Sequence, residues 1–244
     1  MRVQPGVPCE LLPWDSQFFG VRIARIVAPA LDDRLLKDAV SWCRDQRVAC
    51  VYLLVGADDG PSVRAAEHGR CHLVDIRVSL DAAIEPEPAM PVRGVRQAGP
   101  GDRDALAALA RISHRNTRFY VDGRFDSARC DELYATWILK SLEGELADRV
   151  LVSDDQGTLE GYVSTRVTDG VGNIGLIAVA PDAQGKGRGQ ALMRAAFGWF
   201  RSGGVTRVNV VTQGRNAAAL RFYEQCGFRT ASVQLWYHLW LDAA

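Results

Sequence analysis

Apolar and polar positions along the chain change period several times, and each change marks an element. Residues 21–27 form a short apolar stretch that predicts a strand. Residues 31–46 place Leu31, Leu35, Leu36, Ala39, Val40 and Cys43 at helical spacing, with Asp32 and Asp33 at the positive helix start. The continuous apolar run 49–55 reads as a buried strand, 62–68 as a short helix and the alternating stretch 72–80 as a further strand. Residues 1–80 therefore predict a small α/β unit of order β-α-β-α-β. Three closely spaced prolines, Pro86, Pro88 and Pro91, follow. Proline neither continues a helix nor donates to a sheet, so residues 81–92 read as a linker.

Beyond it the pattern predicts a strand at 94–97 and a helix at 102–112 with Leu106, Leu109 and Ala110 on one face. Residues 113–130 are aromatic, contain glycine and show no period, which predicts a loop; 131–142 are amphipathic. Three strands at 149–153, 159–167 and 173–179 are separated by turn residues at 154–157 and 169–170. A helix at 187–201, a strand at 207–212, a helix at 216–226 and a strand at 234–241 complete the chain. The order β-α-α-β-β-β-α-β-α-β over 93–244 is a mixed α/β layout, not a Rossmann alternation.

Composition narrows the function. The 244 residues hold 29 Lys+Arg and 29 Asp+Glu, so no global field draws the chain to nucleic acid or an anionic membrane. No apolar run reaches the roughly 18–20 residues of a membrane span, and residues 1–10 contain no continuous apolar stretch typical of a leader. A cytoplasmic protein is expected. The six cysteines include no C-x-x-C pair, which favours free thiols over a disulfide framework. His68 and His72 are separated by a glycine and a strand-like stretch, so no metal site is predicted.

The chemistry concentrates in residues 174–193. A buried strand ends at Val179, Pro181 and Asp182 break it, and Gln184-Gly-Lys-Gly-Arg-Gly189 leads straight into a helix. Glycines at 185, 187 and 189 let a ligand approach the backbone. Successive N–H groups at a helix start, with Lys186 and Arg188 beside them, form a site for phosphate or pyrophosphate. The spacing fits neither a Walker A loop nor the dinucleotide fingerprint.

This segment resembles the pyrophosphate loop of the GCN5-related N-acetyltransferase (GNAT) superfamily, Q/R-x-x-G-x-G/A, at every position. A second family pattern, N-x-x-A-x-x-x-Y-x-x-x-G-F, is matched by Asn216, Ala219, Tyr223, Gly227 and Phe228. The resemblance covers residues 93–241. It implies a twisted mixed sheet with splayed central strands, preceded here by the smaller α/β unit. It also implies acetyl-CoA as co-substrate, held by Ile177, Ala178, Val179, Gln184, Gly185, Lys186, Gly187, Arg188, Gly189 and Asn216. Tyr223 would be the general acid that protonates the departing thiolate, and a backbone N–H near 177–179 would meet the oxyanion.

Residues 11–26, 117–126 and 133–144 further resemble two-domain members that acetylate a TDP-linked amino-deoxysugar. On that resemblance the acceptor would lie against Arg118, Phe119, Tyr120 and Arg124, reached from the N-terminal unit by Trp14 and Phe19. Packing at the interface explains Trp14, Phe18 and Phe19 equally well. His114, Asp122, Asp126 and Glu160 are the candidates for a base, none distinguished from the others. A homodimer, an N-acyltransferase for an antibiotic or another metabolite, and a non-catalytic acyl-CoA sensor remain as alternatives.

Overall fold

The computed structural model describes residues 8–86 and 91–241. In chain order its main elements are β1 (Cys9–Leu11), α1 (Pro13–Phe19), β2 (Ile23–Ile26), α2 (Asp33–Asp45), β3 (Cys50–Gly56), α3 (Gly60–His68) and β4 (His72–Ala83). They continue as β5 (Val95–Gln97), α4 (Arg103–Ser113), α5 (Arg118–Asp122), α6 (Ser127–Leu142), β6 (Arg149–Asp155), β7 (Thr158–Thr168) and β8 (Val171–Val179). The last are α7 (Arg188–Ser202), β9 (Arg207–Gln213), α8 (Ala217–Gln225) and β10 (Arg229–Trp240).

The ten strands form one mixed sheet in the order β1-β2-β3-β10-β4-β9-β8-β7-β6-β5. β10 is threaded between β3 and β4 and pairs antiparallel with both, so the first and last parts of the chain share a sheet. Strand alternation then assigns the faces. On β3, Val51, Leu53 and Val55 pack with α2 and α3, whereas Cys50 and Tyr52 point to the opposite face and the core below α4–α6. On β4, Leu80 and Ala82 join Val208, Val210, Leu192 and Phe200 in the core beneath α7 and α8.

The structure differs from the sequence pattern at four places. Residues 113–130 are not one loop: Thr117 precedes the single-turn helix α5, Gly123 ends it in the left-handed conformation, and Asp126 caps α6 by accepting from the Arg129 N–H at 2.9 Å. Elements this short have no periodicity to read. β1 and α1 were likewise hidden, because α1 buries none of its residues. β10 starts at Arg229, its first five residues being exposed. β4 continues three residues into the expected linker, because Leu80, Ala82 and Ile84 alternate inward before the first proline. Residues 87–90 of that segment lie outside the described residues.

Leu80 is 1% exposed and belongs to the core beneath α7 and α8 although it lies in the first 80 residues. Leu80→Ala should therefore destabilise the C-terminal half by about 2–5 kcal/mol, read from the denaturant midpoint of tryptophan fluorescence.

Candidate active site

The parallel strands β8 and β9 pair only over Gly172–Ile174 and Val208–Val210. Beyond that they part. β8 stays on β7 through Val179, while β9 stays on β4 through Gln213. A register shift in β8 opposite Val163 and Thr165 frees the Leu176 N–H, which the Ser164 hydroxyl accepts at 2.8 Å. Leu176 and Ala180 both donate on the β7 side, the latter to the Glu160 carbonyl at 2.7 Å. Alternation therefore turns the N–H groups of Ile177 and Val179 toward the open wedge.

The loop at the wedge mouth is built for an anion. Gln184 donates through Nε2 to the Val179 carbonyl at 3.2 Å, which anchors the loop to the strand. Gly185 and Gly187 have φ of +75° and +76°, a region that disfavours any side chain. Gly187 is the N-cap of α7. Among the described residues no backbone carbonyl accepts from the N–H groups of 185–190, so these donors and the helix dipole face outward together. A Cβ on Gly189 would come within 3.1 Å of the Phe222 ring, so this glycine also lets α7 approach α8. These residues fit the pyrophosphate of acetyl-CoA. Lys186 is exposed on the loop. The Arg188 guanidinium is instead turned inward, with Nε 2.5 Å from Glu160 and Nη2 3.4 Å from Asp155, leaving its backbone N–H in the nest.

Asn216 caps α8, its Oδ1 accepting from the Ala219 N–H at 3.2 Å, which leaves the amide nitrogen available. Tyr223 lies seven residues on, two helical turns along the same face. It is buried against the rings of Phe222 and Phe228, in the core that Ile177 and Val179 flank. Burial, aided by Cys226, raises its phenol above the usual range.

The residues expected at the acceptor side are less uniform. Phe119 is buried, stacked on Phe19 at 5.1 Å and edge-on to Tyr52. Both phenylalanines therefore serve the seam between the first and last parts of the chain. The Arg118 guanidinium lies 4.0 Å from the Tyr52 ring centroid and 4.4 Å from that of Trp236. It also meets His238 Nε2 at 2.7 Å. His238 Nδ1 is 2.5 Å from Asp122 Oδ2, and Trp240 donates to the same carboxylate at 3.0 Å. Nδ1 thus carries the proton, and Nε2 accepts from Arg118. Tyr120 donates to Asp131 at 2.6 Å. Trp14 stacks on Phe18 with its other surface exposed, and Arg124 lies exposed beside the Trp240 ring.

Each base candidate read from the sequence has a structural partner. Asp126 caps α6 and Glu160 pairs with Arg188. Burial would raise Asp122, but its hydrogen bonds from His238 and Trp240 outweigh that and hold the carboxyl low. His114 Nε2 lies 2.8 Å from the Tyr162 hydroxyl, and burial pushes its imidazole down to about 4. Sequence reasoning missed Tyr52, Asp75 and His238. A carboxylate within the alternating strand 72–80 was the one available signal for Asp75. Among the described residues no cluster of three His, Cys, Asp or Glu side chains suits a metal ion, and no helix is long and apolar enough to cross a membrane.

Residues 109–228 match the family model described as the acetyltransferase (GNAT) family. A dTDP-fucosamine acetyltransferase from Escherichia coli O6:H1 is 30% identical over 235 residues, 93% of this chain and 96% of that protein. The spore coat polysaccharide biosynthesis protein SpsD of Bacillus subtilis is 28% identical over 141 residues, 58% of this chain and 48% of that protein. Among solved structures, a GCN5-related N-acetyltransferase from Sphaerobacter thermophilus superposes with a TM-score of 0.67 at 18% identity, covering 95% of this chain and 76% of that one.

Burial depresses both His114 and His238 to about 4. Between about pH 6.5 and 4 the unfolded chain therefore binds these protons and the folded chain does not, so stability falls as pH falls. Asp75, raised to about 6, opposes this by one proton over the lower part of the window. Thermal midpoints measured from pH 7 to 4 should fall, and His114→Gln should fall less steeply by up to one proton.

Proposed function

The chain belongs to the acetyltransferase (GNAT) family and is an acetyl-CoA-dependent N-acetyltransferase, and on that premise we propose that its acceptor is the amine of a TDP-linked amino-deoxysugar. The observation that carries this reading is the similarity to a dTDP-fucosamine acetyltransferase across nearly the whole of both chains. It includes the N-terminal strands and helices.

In this reading the N–H groups of 185–190 bind the pyrophosphate of acetyl-CoA, and the Asn216 amide holds the pantetheine arm along the wedge. The acceptor amine attacks the thioester carbonyl. The N–H groups of Ile177 and Val179, already directed into the wedge, stabilise the oxyanion. Collapse of the tetrahedral intermediate expels the CoA thiolate, and Tyr223 protonates it. Its phenol, raised by burial, carries its proton throughout the working pH range, so the proton is in place when the thiolate forms. The aromatic wall of Phe19, Phe119 and Tyr120 bounds the acceptor side. Trp14 and Arg124, both exposed, are open to the base and diphosphate of the nucleotide, and Arg118 supplies positive charge from behind the wall.

A thiol-release assay with acetyl-CoA should show turnover on TDP-amino-deoxysugars and not on free amino sugars, aminoglycosides, polyamines or peptide amines. Turnover on one of those other amines instead would overturn the sugar-nucleotide reading. Tyr223→Phe should lower kcat about 10²–10⁴-fold while calorimetry finds acetyl-CoA binding retained. An unchanged kcat would remove Tyr223 from the acid role.

A further inference from the structure

Asp75 is a buried carboxylate beside the end of β9, where the wedge opens. The Ile76 carbonyl accepts the Gly214 N–H at 2.6 Å, and the Val74 carbonyl accepts from Arg215 Nη2 at 2.9 Å. The backbone on both sides of Asp75 is thus tied to the turn between β9 and α8, one residue before the Asn216 cap. Its partner across β10 is Trp236, so its side chain shares a face with Trp236, below α5 and α6. The anion loop lies with α7 on the opposite face. Asp75 therefore stands on the α5 side of the sheet, next to the end of β9.

The carboxylate is 5% exposed. Oδ1 accepts the Ile76 N–H at 2.9 Å and lies 3.7 Å from Arg215 Nε, whereas Oδ2 takes no hydrogen bond from the described residues. The groups facing it are Arg215 from the β9–α8 turn, Arg118 from α5 and the Tyr134 phenol from α6. His238 on β10 and Arg77 on β4 lie two residues further along the same face, bonded to Asp122 and Gln234 respectively. Burial raises Asp75 to about 6 despite both arginines, a value suited to accepting a proton near neutrality.

We propose that Asp75 is the general base of the reaction, a role lent to the acyl-transfer site by the N-terminal part of the chain. The inference rests on the acyl-transfer reading above. Asp75 takes one proton from the acceptor ammonium, which frees the nitrogen lone pair. The N–C bond forms and the C–S bond breaks with its electron pair on sulfur. Tyr223 protonates that thiolate and is repaid by the second proton shed from the nitrogen. Asp75 then returns its proton to solvent as the amide leaves.

The test is kcat and acceptor KM from pH 5 to 9 for the full chain, its Asp75→Asn variant and its Asp75→Glu variant, beside acetyl-CoA calorimetry and thermal unfolding. Asparagine keeps the oxygen that accepts from Ile76. For the wild type, kcat should fall on the acid side with a single-proton limb. Asp75→Asn should lower kcat at pH 7 about 10²–10³-fold and abolish that limb, with acetyl-CoA affinity and unfolding temperature unchanged. Asp75→Glu should recover part of the rate and keep a limb. A kcat within threefold of wild type, an unchanged limb, or an effect confined to acceptor KM would overturn the proposal. If Asp75→Asn does not fold, a wild-type kcat and limb in Asp75→Glu would overturn it, and a displaced limb with reduced kcat would support it. A wild type that binds acetyl-CoA yet turns over no amine would overturn the acyl-transfer reading itself, and this inference with it.

Discussion

Opening a seam between two strands strips backbone N–H and C=O groups of their partners, and buried groups of that kind are costly unless something else satisfies them. β8 and β9 part after three residue pairs, and the rest of the site answers that cost. The outer edges remain fixed, β8 on β7 and β9 on β4. Ser164 takes the N–H freed by the register shift, and Gln184 takes the Val179 carbonyl. Among the described residues the inner N–H groups of Ile177 and Val179 are left without a strand partner, a polar edge turned into the wedge. The wedge is thus a sheet defect kept open by two intact neighbours, and one of them, β4, comes from the first third of the chain.

The acceptor side is governed by a different economy. Arg118 packs against the rings of Tyr52, Phe119 and Trp236, and among the described residues it forms no salt bridge. The Asp75 and Asp15 carboxylates act on its charge from a distance, and Asp122 lies on the far side of His238. Such a buried array is costly to assemble and more costly to break, because each member would leave another unpaired. It also couples α5 to β10 and β3, so this wall is built from three widely separated stretches of sequence.

These two regions explain what could be read in advance. The loop 184–189 and the Asn216–Tyr223 helix were legible from local composition and spacing, because each pattern lies within one short stretch of sequence. The longer helices and most strands showed clear periods for the same local reason. α5 was invisible because five residues hold little more than one turn, and α1 because its seven residues include none that is fully buried. Phe119 and Arg118 were legible as aromatic and basic residues in an irregular segment, but not as parts of a seam, since Tyr52, Trp236 and His238 approach them only through the sheet. Asp75 was hidden in the same way: its setting is created by β10 on one side and by the β9–α8 turn on the other.

The threading of β10 between β3 and β4 also has a bearing on how the chain is born. On a ribosome, β3 and β4 emerge early and find no direct pairing with each other. Each must wait, with one hydrogen-bonding edge uncovered, until the last of the ten strands leaves the exit tunnel. The sheet is closed by contacts spanning most of the sequence, the kind whose loop entropy makes folding slow. During that interval the early strands are the part of the nascent chain most exposed to mispairing, and the part with most to gain from a chaperone.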